Sequence, residues 1–539
     1  MGELGQRAQE FLVHVTGGVP DLSMASASPV FNQIGGLPPN VRRIDKVSSA
    51  TLTLQSAGPS AGHTTLVVVA DTAQDEATMW RRVGQAGSVS IAPNQLLQHF
   101  DAGPRFQLLA NPPRAVTPVT IQLRIQDSVG NPIPNAVVQT FGANTAQGAS
   151  DRNGNVTLTF FTGATNCDAI YIKPAMTFWE KWINNPDLQS NMTVTLRRLE
   201  DWPPAKFSPA APYANWATAL LGLDVTDQSM NGAGIKVAVA DSGCDVTHSL
   251  ASGFHYGVNY ADPANPNDWN TDSIGHGTWC STLIGGFDPV TGRRGYAPQA
   301  EMHTLKIFPG GSLATLQRCF TYCVDNGIDV MSLSLGTPNP DVSTTTFIND
   351  ALQHGIAIFV AAGNSYGPVS YPASVPGTFA VSAVGQGGRF PPDTYHAQTQ
   401  TQQTRAGAVG NNGLFAPDFT AAGPEISFCA LGVATTSGTP GNGFLADDGT
   451  SMACPAIAAL ATLALAHHPV LRGQPRSKQR TMTLSRVLQD ACQNTGLAAG
   501  FNGAGMPNIK VMRDRAHAPM IAPGATANAA MLGLPAGPS

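Results

Sequence analysis

Residues 237–243, VAVADSG, form a short apolar run that ends in an aspartate and two turn-forming residues. Near-continuous apolar runs that alternate with helix-like stretches are typical of a parallel sheet covered by helices on both faces. We therefore predict a doubly wound α/β domain over residues 215–515, with an active site at the carboxyl ends of its strands. The other runs of this kind are AEMHTLKIF (300–308), IDVMSLSLG (328–336), GIAIFVAAGN (355–364) and TFAVSAVG (378–385).

Three polar residues stand where such a site would need them. Asp241 ends the first strand, His276 opens the helical run SIGHGTWCSTLIGG (273–286), and Ser451 opens GTSMACPAIAAL (449–460). A serine hydroxyl needs a base to take its proton, and the base needs an acceptor that holds its tautomer. The helix N-terminus favours the negative charge that forms during attack, and we expect Pro455 to fall within the first turn at no cost in hydrogen bonds.

The blocks VAVADSG, GHGT (275–278) and GTSMACP (449–455), in the order Asp, His, Ser, resemble the signature blocks of the subtilisin-like (S8) serine peptidases. Collinear subsidiary blocks extend the resemblance over residues 215–515. The resemblance implies a serine endopeptidase that acts on a protein or peptide through an acyl-enzyme and requires no cofactor. The subsidiary blocks are GYAPQAEMHTLKIF, DVMSLSLG, AAGN, YPASVPGTFAVSAVG and GAGMPNIKV.

The same resemblance assigns roles to individual residues. Ser451 is the nucleophile, His276 the general base and then acid, Asp241 the residue that orients His276, and Asn364 of AAGN the amide donor to the oxyanion. Substrate binding is expected to be largely main-chain, through an extended peptide paired with an exposed strand edge. The implied substrate-binding residues are Ser334, Leu335 and Gly336 on one edge, Gly310 and Gly311 on the other, and Ala362 and Gly363 in a pocket wall.

Residues 1–105 show the element order β-α-β-β-α-β, which predicts a ferredoxin-like unit. This order resembles that of subtilase propeptides and implies an intramolecular chaperone and inhibitor of the cleft. The predicted strands are EFLVHV (10–15), VRRIDKVSSATLTLQ (41–55), TTLVVVAD (64–71) and SVSIAP (88–93), and the predicted helices span 22–36 and 73–84.

Residues 116–200 alternate apolar and polar side chains with a period of two, as in VTIQLRIQD (119–127), NVTLTF (155–160) and MTVTL (192–196). This pattern, with turn signals between the runs, predicts a small β-sandwich that resembles carboxypeptidase-regulatory or bacterial Ig-like modules. We expect a linker over 201–214, a disordered tail over 516–539, and a mobile surface loop at the polar insertion 389–413.

Composition excludes several classes of partner. The 539-residue chain has a net charge of −5 and no block of Lys or Arg, so nucleic acid is not expected as a partner. Its longest apolar run, residues 457–466, is too short to cross a membrane, and the amino terminus lacks the pattern of a signal peptide. As written, the chain is expected to be cytoplasmic; it would be secreted if a leader had been removed.

The eight cysteines show no C-x-x-C pair, so we expect reduced thiols that act as small hydrophobic side chains. Cys244, Cys280 and Cys454 lie close to the signature residues, where they either make the site sensitive to thiol-reactive metals or fill space. Calcium is common in the resembled family, and residues 259–273 contain three aspartates. The spacing is not that of an EF-hand, and we favour a solvated loop and assign no metal ligand.

Two other functions remain open at this point. The same active site could transfer the acyl group to an amine, as a peptide ligase or macrocyclase does. Alternatively, the chain could be an inactive protease-like scaffold that binds through the sandwich domain. Product analysis distinguishes the first alternative, and labelling by a fluorophosphonate distinguishes the second.

Overall fold

The computed structural model describes residues 117–202, 216–223, 227–401 and 404–517, together with 9–16, 41–48, 63–70 and 89–99. The first four strands form one sheet in the order β2-β3-β1-β4. Their positions agree with the four predicted strands. The predicted helices 22–36 and 73–84 lie outside the described residues, so the complete ferredoxin-like unit stays a prediction. These strands are β1 (Gln9–Thr16), β2 (Val41–Ser48), β3 (His63–Ala70) and β4 (Val89–Pro93).

The second region is a two-sheet sandwich, with one sheet in the order β11-β10-β7-β8 and the other β12-β6-β9. Alternate side chains of β6 and β9 point into its core, where Leu123, Ile125 and Leu158 are buried. The strands are β5 (Gln98–His99), which belongs to neither sheet, then β6 (Val119–Gln126), β7 (Val137–Phe141), β8 (Gln147–Ala149), β9 (Asn155–Phe160), β10 (Ala169–Lys173), β11 (Lys181–Asn184) and β12 (Met192–Thr195).

The third region is built on an eight-stranded sheet that contains β14-β15-β13-β16-β18-β19, with β20 and β21 both paired to β19. All of these pairs are parallel except β19 with β20. The remaining strands are β13 (Lys236–Asp241), β14 (Tyr256–Asn259), β15 (Glu301–Lys306), β16 (Val330–Leu333), β17 (Leu335–Gly336), β18 (Ala357–Ala361), β19 (Phe379–Gln386), β20 (Leu414–Phe415), β21 (Ile426–Leu431), β22 (Thr435–Thr439), β23 (Gly443–Asp447), β24 (Cys492–Gln493) and β25 (Met506–Pro507).

Helices cover both faces of this sheet. Val237 and Val239 of β13 pack on one face with α1 and α4, whereas Ala238 and Ala240 pack on the other with α2 and α3. This is the doubly wound architecture that the alternating pattern predicts. The helices are α1 (His276–Gly285), α2 (Leu313–Asp325), α3 (Val342–Gln353), α4 (Thr450–His467), α5 (Lys478–Asp490), α6 (Ala499–Asn502) and α7 (Ile509–His517).

Helix α4 runs through the centre of the domain. Its length and composition alone would allow it to cross a bilayer, but 89% of the apolar window lies buried inside the protein. A helix that is apolar on all sides requires such an environment, and α4 packs against α1, β16 and β19. We therefore interpret α4 as the core helix of the domain.

Candidate active site

Asp241 and His276 form a pair at the carboxyl end of the parallel sheet. Asp241 is the last residue of β13, and His276 is the first residue of α1. Nδ1 of His276 lies 2.8 Å from Oδ1 and 2.9 Å from Oδ2 of Asp241, and the carboxylate is fully buried. The carboxylate also accepts a hydrogen bond from the main-chain N of Ser242 at 2.8 Å. This arrangement fixes the imidazole with Nδ1 toward Asp241.

Two glycines allow the close approach of α1 to β13. Gly275 caps the helix with a φ of 93°, a left-handed conformation that other residues seldom adopt. A Cβ atom on Gly277 would lie 2.2 Å from the main-chain oxygen of Gly243, so any larger residue would push the helix away. The G-H-G part of the GHGT block is therefore required by the geometry that brings His276 to Asp241.

The environment of His276 favours its protonated form. Burial alone would lower the pKa of His276, but the negative charge and hydrogen bond of Asp241, together with the contribution of Cys280, outweigh burial and raise the pKa well above its usual value. The carboxylate of Asp241 therefore both orients the imidazole and stabilises its protonated form. The pair can take up and return a proton.

Ser451 is the second residue of α4 and is buried, with its Oγ donating to the main-chain O of Ser334 at 3.3 Å. The prediction for Pro455 was wrong: α4 begins at Thr450, so Pro455 lies in the second turn. Proline has no N–H to donate to the carbonyl four residues earlier. That carbonyl, the main-chain O of Ser451, accepts instead from Oγ of Ser334 at 3.0 Å.

Cys280 lies among these residues. Its sulfur is 4.0 Å from Nδ1 of His276, 3.6 Å from Oγ of Ser334 and 3.7 Å from the main-chain O of Ser451. Burial raises the pKa of the Cys280 thiol, so the group is neutral at physiological pH. The contacts place the imidazole of His276 and the main-chain carbonyl of Ser451 on either side of one buried thiol. The sequence places Cys280 near the signature residues but carries no signal of this bridging position.

The other two signature cysteines do not contact His276. The sulfur of Cys454 faces Oγ of Ser332 at 3.7 Å and the main-chain O of Leu333 at 3.8 Å, and Cys244 is fully buried. All eight cysteines are free thiols, and seven of them are buried, as expected for small hydrophobic side chains. Of the three thiols expected near the site, only that of Cys280 therefore contacts His276.

Asn364 lies three residues beyond β18 and contacts the start of α4. Its Oδ1 accepts from the main-chain N of Thr450 at 2.9 Å and from Oγ1 of Thr450 at 2.8 Å. These two bonds hold the amide oxygen toward Thr450, so the Nδ2 group is the end of the side chain that can donate elsewhere. Asn364 thus contacts Thr450, the residue before Ser451, with a fixed orientation.

The predicted substrate edges hold a segment of the chain itself. β5 pairs antiparallel with β17, so that Leu335 lies opposite His99 and Gly336 opposite Gln98. On the other side, the main-chain N of Leu97 donates to the main-chain O of Gly311 at 2.8 Å. Nothing in the sequence distinguished residues 94–99, because a two-residue strand has no periodicity of its own.

Further main-chain and side-chain contacts hold residues 94–99 in place. The main-chain N of Leu313 donates to the main-chain O of Gln95 at 3.0 Å, and Oγ1 of Thr337 donates to Oε1 of Gln95 at 2.9 Å. Leu97 is 6% exposed and lies in the hydrophobic cluster that contains Leu313 and Leu335, whereas its neighbour Leu96 is 68% exposed. One leucine is therefore an anchor and the other faces solvent.

The remaining predicted site residues lie nearby. Gly310 precedes Gly311 and has a φ of 85°, in the turn that leads to the edge. Ala362 is fully buried, and the main-chain N of Gly363 donates to Oγ1 of Thr450 at 3.1 Å. The structure therefore brings Gly363 against Thr450, the residue before Ser451. Contact of Ala362 and Gly363 with a substrate side chain stays a prediction.

The aspartates of residues 259–273 do not converge on one point. Asp262 accepts from Asn265, and Asp272 accepts from the main-chain N of Gly275 and from Thr278. Asp268 forms an ion pair with Lys306, whose Nζ lies within 3.2 Å of four oxygen atoms of Asp268 and Thr271. Each carboxylate is thus engaged within the protein, and the role of calcium stays a prediction.

The insertion 389–413 differs from the expected surface loop. Residues Phe390, Thr394, His396 and Ala408 are buried, and a π-helical turn runs over His396–Gln400. A polar composition suggested solvent exposure, but His396 is buried because it pairs with two carboxylates of other segments. Glu180, His396 and Asp448 and, separately, Asp241, His276 and Cys280 have ligand-type atoms within 4.8 Å of one another. We assign neither cluster to a metal.

This geometry agrees with comparisons against known proteins. The model of the subtilase family (peptidase S8) matches residues 232–505. Subtilisin from Bacillus pumilus is 30% identical over 294 residues, which cover 52% of this chain and 92% of that protein. Subtilisin Savinase from Lederbergia lenta is 29% identical over 292 residues, 53% of this chain and 92% of that protein.

Subtilisin E from Bacillus subtilis (strain 168) is 29% identical over 294 residues, 52% of this chain, and the chain spans 66% of its length. The sheet and the site define a subtilisin-like catalytic domain. The chain belongs to the subtilase family of serine proteases.

Proposed function

We propose that the protein is a serine endopeptidase that hydrolyses peptide bonds of proteins or peptides. The observation that carries the proposal is the pair formed by Asp241 and His276 at 2.8 Å, joined through Cys280 to the main chain of Ser451. Family membership supports the same reaction class. No cofactor takes part in the proposed chemistry.

In the proposed mechanism, Oγ of Ser451 attacks the substrate carbonyl while His276 removes its proton. Asp241 stabilises the resulting imidazolium, and the Nδ2 group of Asn364 and the main-chain N–H of Ser451 donate to the oxyanion. The imidazolium then protonates the departing amine. Water, activated by the same imidazole, hydrolyses the acyl-enzyme and regenerates Ser451.

The chain incubated with a defined peptide, followed by mass spectrometry of the products, tests this proposal. Hydrolysis gives two linear peptides, one with a new carboxylate and one with a new amine. Joined or cyclic products would instead indicate acyl transfer to an amine. Peptide left unchanged both by the full-length chain and by Leu97→Asp, which weakens the hold of residues 94–99 on the substrate edges, would indicate an inactive scaffold.

Asn364→Ala is expected to lower kcat by about 10² to 10³, with KM little changed, because the donated hydrogen bond forms only with the oxyanion. Asn364→Asp is the matched variant, since it keeps an oxygen for Thr450 but has no amide to donate. We expect it to lose at least as much activity. Steady-state kinetics on a peptide substrate measure both, and losses below tenfold would contradict the assigned role.

We also propose that the amino-terminal region inhibits the protease by occupying its substrate edges. Residues 94–99 support this through the pairing of β5 with β17, the hydrogen bond from Leu97 to Gly311, and the burial of the Leu97 side chain. An added peptide would have to displace this segment before it could pair with the same edges. The chaperone role implied by the resemblance is part of the same proposal.

Leu97→Asp is expected to raise the rate at which the full-length chain hydrolyses a short chromogenic peptide. Burial of a leucine side chain contributes about 1.5–3 kcal/mol, so its loss corresponds to roughly 10- to 100-fold weaker occupancy of the cleft. Initial rates are measured on a chain whose intact mass has been verified, so that self-cleavage does not contribute.

Leu96→Asp is the control for this experiment, because Leu96 is 68% exposed and adjacent in sequence. We expect its rate to stay close to that of the wild-type chain. Equal rates for the wild-type chain and Leu97→Asp would argue against inhibition by this segment. Activation of both variants to the same extent would indicate a general loosening of the amino-terminal region.

A further inference from the structure

The β-sandwich reaches the loop that leads into the nucleophile through three buried side chains. Glu180 precedes strand β11 of the sandwich, His396 belongs to the insertion 389–413, and Asp448 stands three residues before Ser451. The side chains of Glu180, His396 and Asp448 are 6%, 1% and 3% exposed. Burial of three ionisable groups is costly unless their charges are paired, so the cluster requires a specific explanation.

The imidazole of His396 lies between the two carboxylates. Its Nδ1 is 2.7 Å from Oδ1 and 2.8 Å from Oδ2 of Asp448, and its Nε2 is 3.3 Å from Oε1 of Glu180. The main-chain N of His396 also donates to Oε1 of Glu180 at 3.2 Å, and Tyr171 donates to Oε2 of Glu180 at 2.5 Å. Glu180 of the sandwich thus holds the main chain of His396 by a hydrogen bond and faces its ring as a charge partner, and Asp448 of the catalytic domain bonds to the other side of the ring.

Asp448 passes this restraint to the active site. Its Oδ1 accepts from the main-chain N of Ala434 at 2.7 Å, and the next residue, Gly449, donates through its main-chain N to Gly432 at 2.8 Å. Thr450 then bonds to Asn364. Consecutive residues before Ser451 are therefore fixed one by one, and Asp448 is the first of them.

We propose that Glu180 and His396 are positioning residues of the protease, which act through Asp448 to hold the loop before Ser451 in its reactive geometry. The proposal rests on the proposed function, since it assigns to the sandwich a part in the same reaction. It makes the sandwich a component of the catalytic unit. Residues 116–200 would then not be a separable binding module.

The charges around His396 predict that kcat depends on pH. Asp447 and Asp448 face it from the nucleophile loop, and Glu180 faces it from the sandwich, where Lys173 and Tyr171 lie close to Glu180. Burial alone would lower the pKa of His396, but Asp448 and Glu180 outweigh burial and raise it to about 9. Burial also raises the pKa of Glu180.

The pKa of His396 is higher in the folded protein than its ordinary value of 6.5. The imidazolium therefore stabilises the cluster fully below pH 6.5, and this contribution is lost as the pH rises through about 9. Above that pH, two carboxylates would face each other across a neutral ring. We therefore expect kcat to fall on the alkaline side as the loop loses its support.

Glu180→Gln and His396→Gln in the full-length chain test the proposal. We expect kcat to fall on the order of 10-fold in each, with a smaller change in KM, because a displaced nucleophile loses reactivity more than binding. In Glu180→Gln, the alkaline limb of kcat should also move to lower pH, since one of the two carboxylates that raise the pKa of His396 is gone. A purely structural role would not move this limb.

Asp393→Asn is the matched control. Asp393 pairs with Lys181 of the sandwich at 2.7 Å, is partly exposed, and belongs to the same insertion as His396. The substitution weakens the contact between the same two regions without touching the cluster. We expect kcat within about twofold of the wild-type value, as is usual for surface ion pairs, and an unchanged alkaline limb.

Circular dichroism and thermal unfolding identify variants that remain folded. If folded His396→Gln and Glu180→Gln keep the wild-type kcat and alkaline limb, the proposal is wrong. It is also wrong if Asp393→Asn loses as much activity as they do. Failure of both the wild-type chain and Leu97→Asp to cleave peptide would instead overturn the proposed function, so the two failures are distinguishable.

Discussion

Ser451→Ala is expected to abolish peptide hydrolysis, with kcat lower by about 10⁶ and only the residual catalysis of the remaining donors left. The large loss follows because alanine lacks the hydroxyl that the proposed mechanism uses as the nucleophile. The wild-type chain should also react with a fluorophosphonate probe, and this labelling should disappear in the variant. Peptide kinetics and intact mass after labelling measure the two effects.

Ser437→Ala is a control, since Ser437 is also buried but bonds to Thr282 at 2.9 Å in a different part of the domain. It should keep both labelling and activity, with a change confined to stability. Retained labelling in Ser451→Ala would show that another residue is the nucleophile. Absence of labelling in the wild-type chain and in Leu97→Asp alike would favour the inactive scaffold.

Asp241→Asn is expected to lower kcat by about 10⁴, because the neutral amide neither holds Nδ1 of His276 as a donor nor stabilises the imidazolium. The volume of the side chain is preserved, so the loss reports on charge and hydrogen bonding. Steady-state kinetics on a peptide substrate give the change in kcat.

The pH dependence gives a second measurement on the same variant. His276 acts as a base only when neutral, so the activity of the wild-type chain should rise as the pH passes through the raised pKa of His276. Without the charge of Asp241, burial lowers this pKa, and the acidic limb of the remaining activity should move to lower pH. An unshifted limb would contradict the contribution of Asp241.

Asp329→Asn is the control for the removal of a buried carboxylate. Asp329 precedes β16 at the amino end of the strands and pairs with Arg476 and Arg480 at 2.9 and 2.7 Å. Its loss should lower the free energy of unfolding without moving the acidic limb. A shift of that limb in both variants would indicate a general effect of charge.

Much of the catalytic domain could be predicted from the sequence, because its strands carry a local signal. VAVAD is a continuous apolar run, and the structure buries all four apolar side chains, alternately on the two faces of the sheet. The carboxyl end of that strand then locates Asp241, and the Gly residues beside His276 and Ser451 indicate tight main-chain geometry. These features depend on residues within a few positions of one another.

Contacts between distant segments left no such signal. The segment 94–99 is recognisable only against Gly311 and Leu335, and its anchor Leu97 is adjacent to an exposed leucine of the same type. His396 lies in a polar insertion, and its burial depends on carboxylates more than 50 positions away in either direction. Local composition cannot report on pairs of this kind.

The error at Pro455 has a similar origin. The sequence shows a proline near the start of a helix. Pro455 would remove no hydrogen bond only if the helix began closer to it than Thr450, where it does begin. Helix starts are uncertain by a turn when glycine, threonine and serine precede the apolar run, since each of these residues is acceptable as a cap. The structure decides the start through the bonds of Thr450 to Asn364.

Because Pro455 has no N–H, the start of α4 is joined by a hydrogen bond to Ser334, which lies at the predicted substrate edge. Because the main-chain carbonyl of Ser451 accepts from Oγ of Ser334, the proposed nucleophile is linked to the strand edge along which a substrate peptide is predicted to lie. A peptide paired along the whole edge would restrict the motion of that edge and, through the hydroxyl of Ser334, the motion of Ser451 as well. A short or misaligned peptide would not restrict this motion. We therefore expect extended substrates to have a higher kcat as well as a higher affinity.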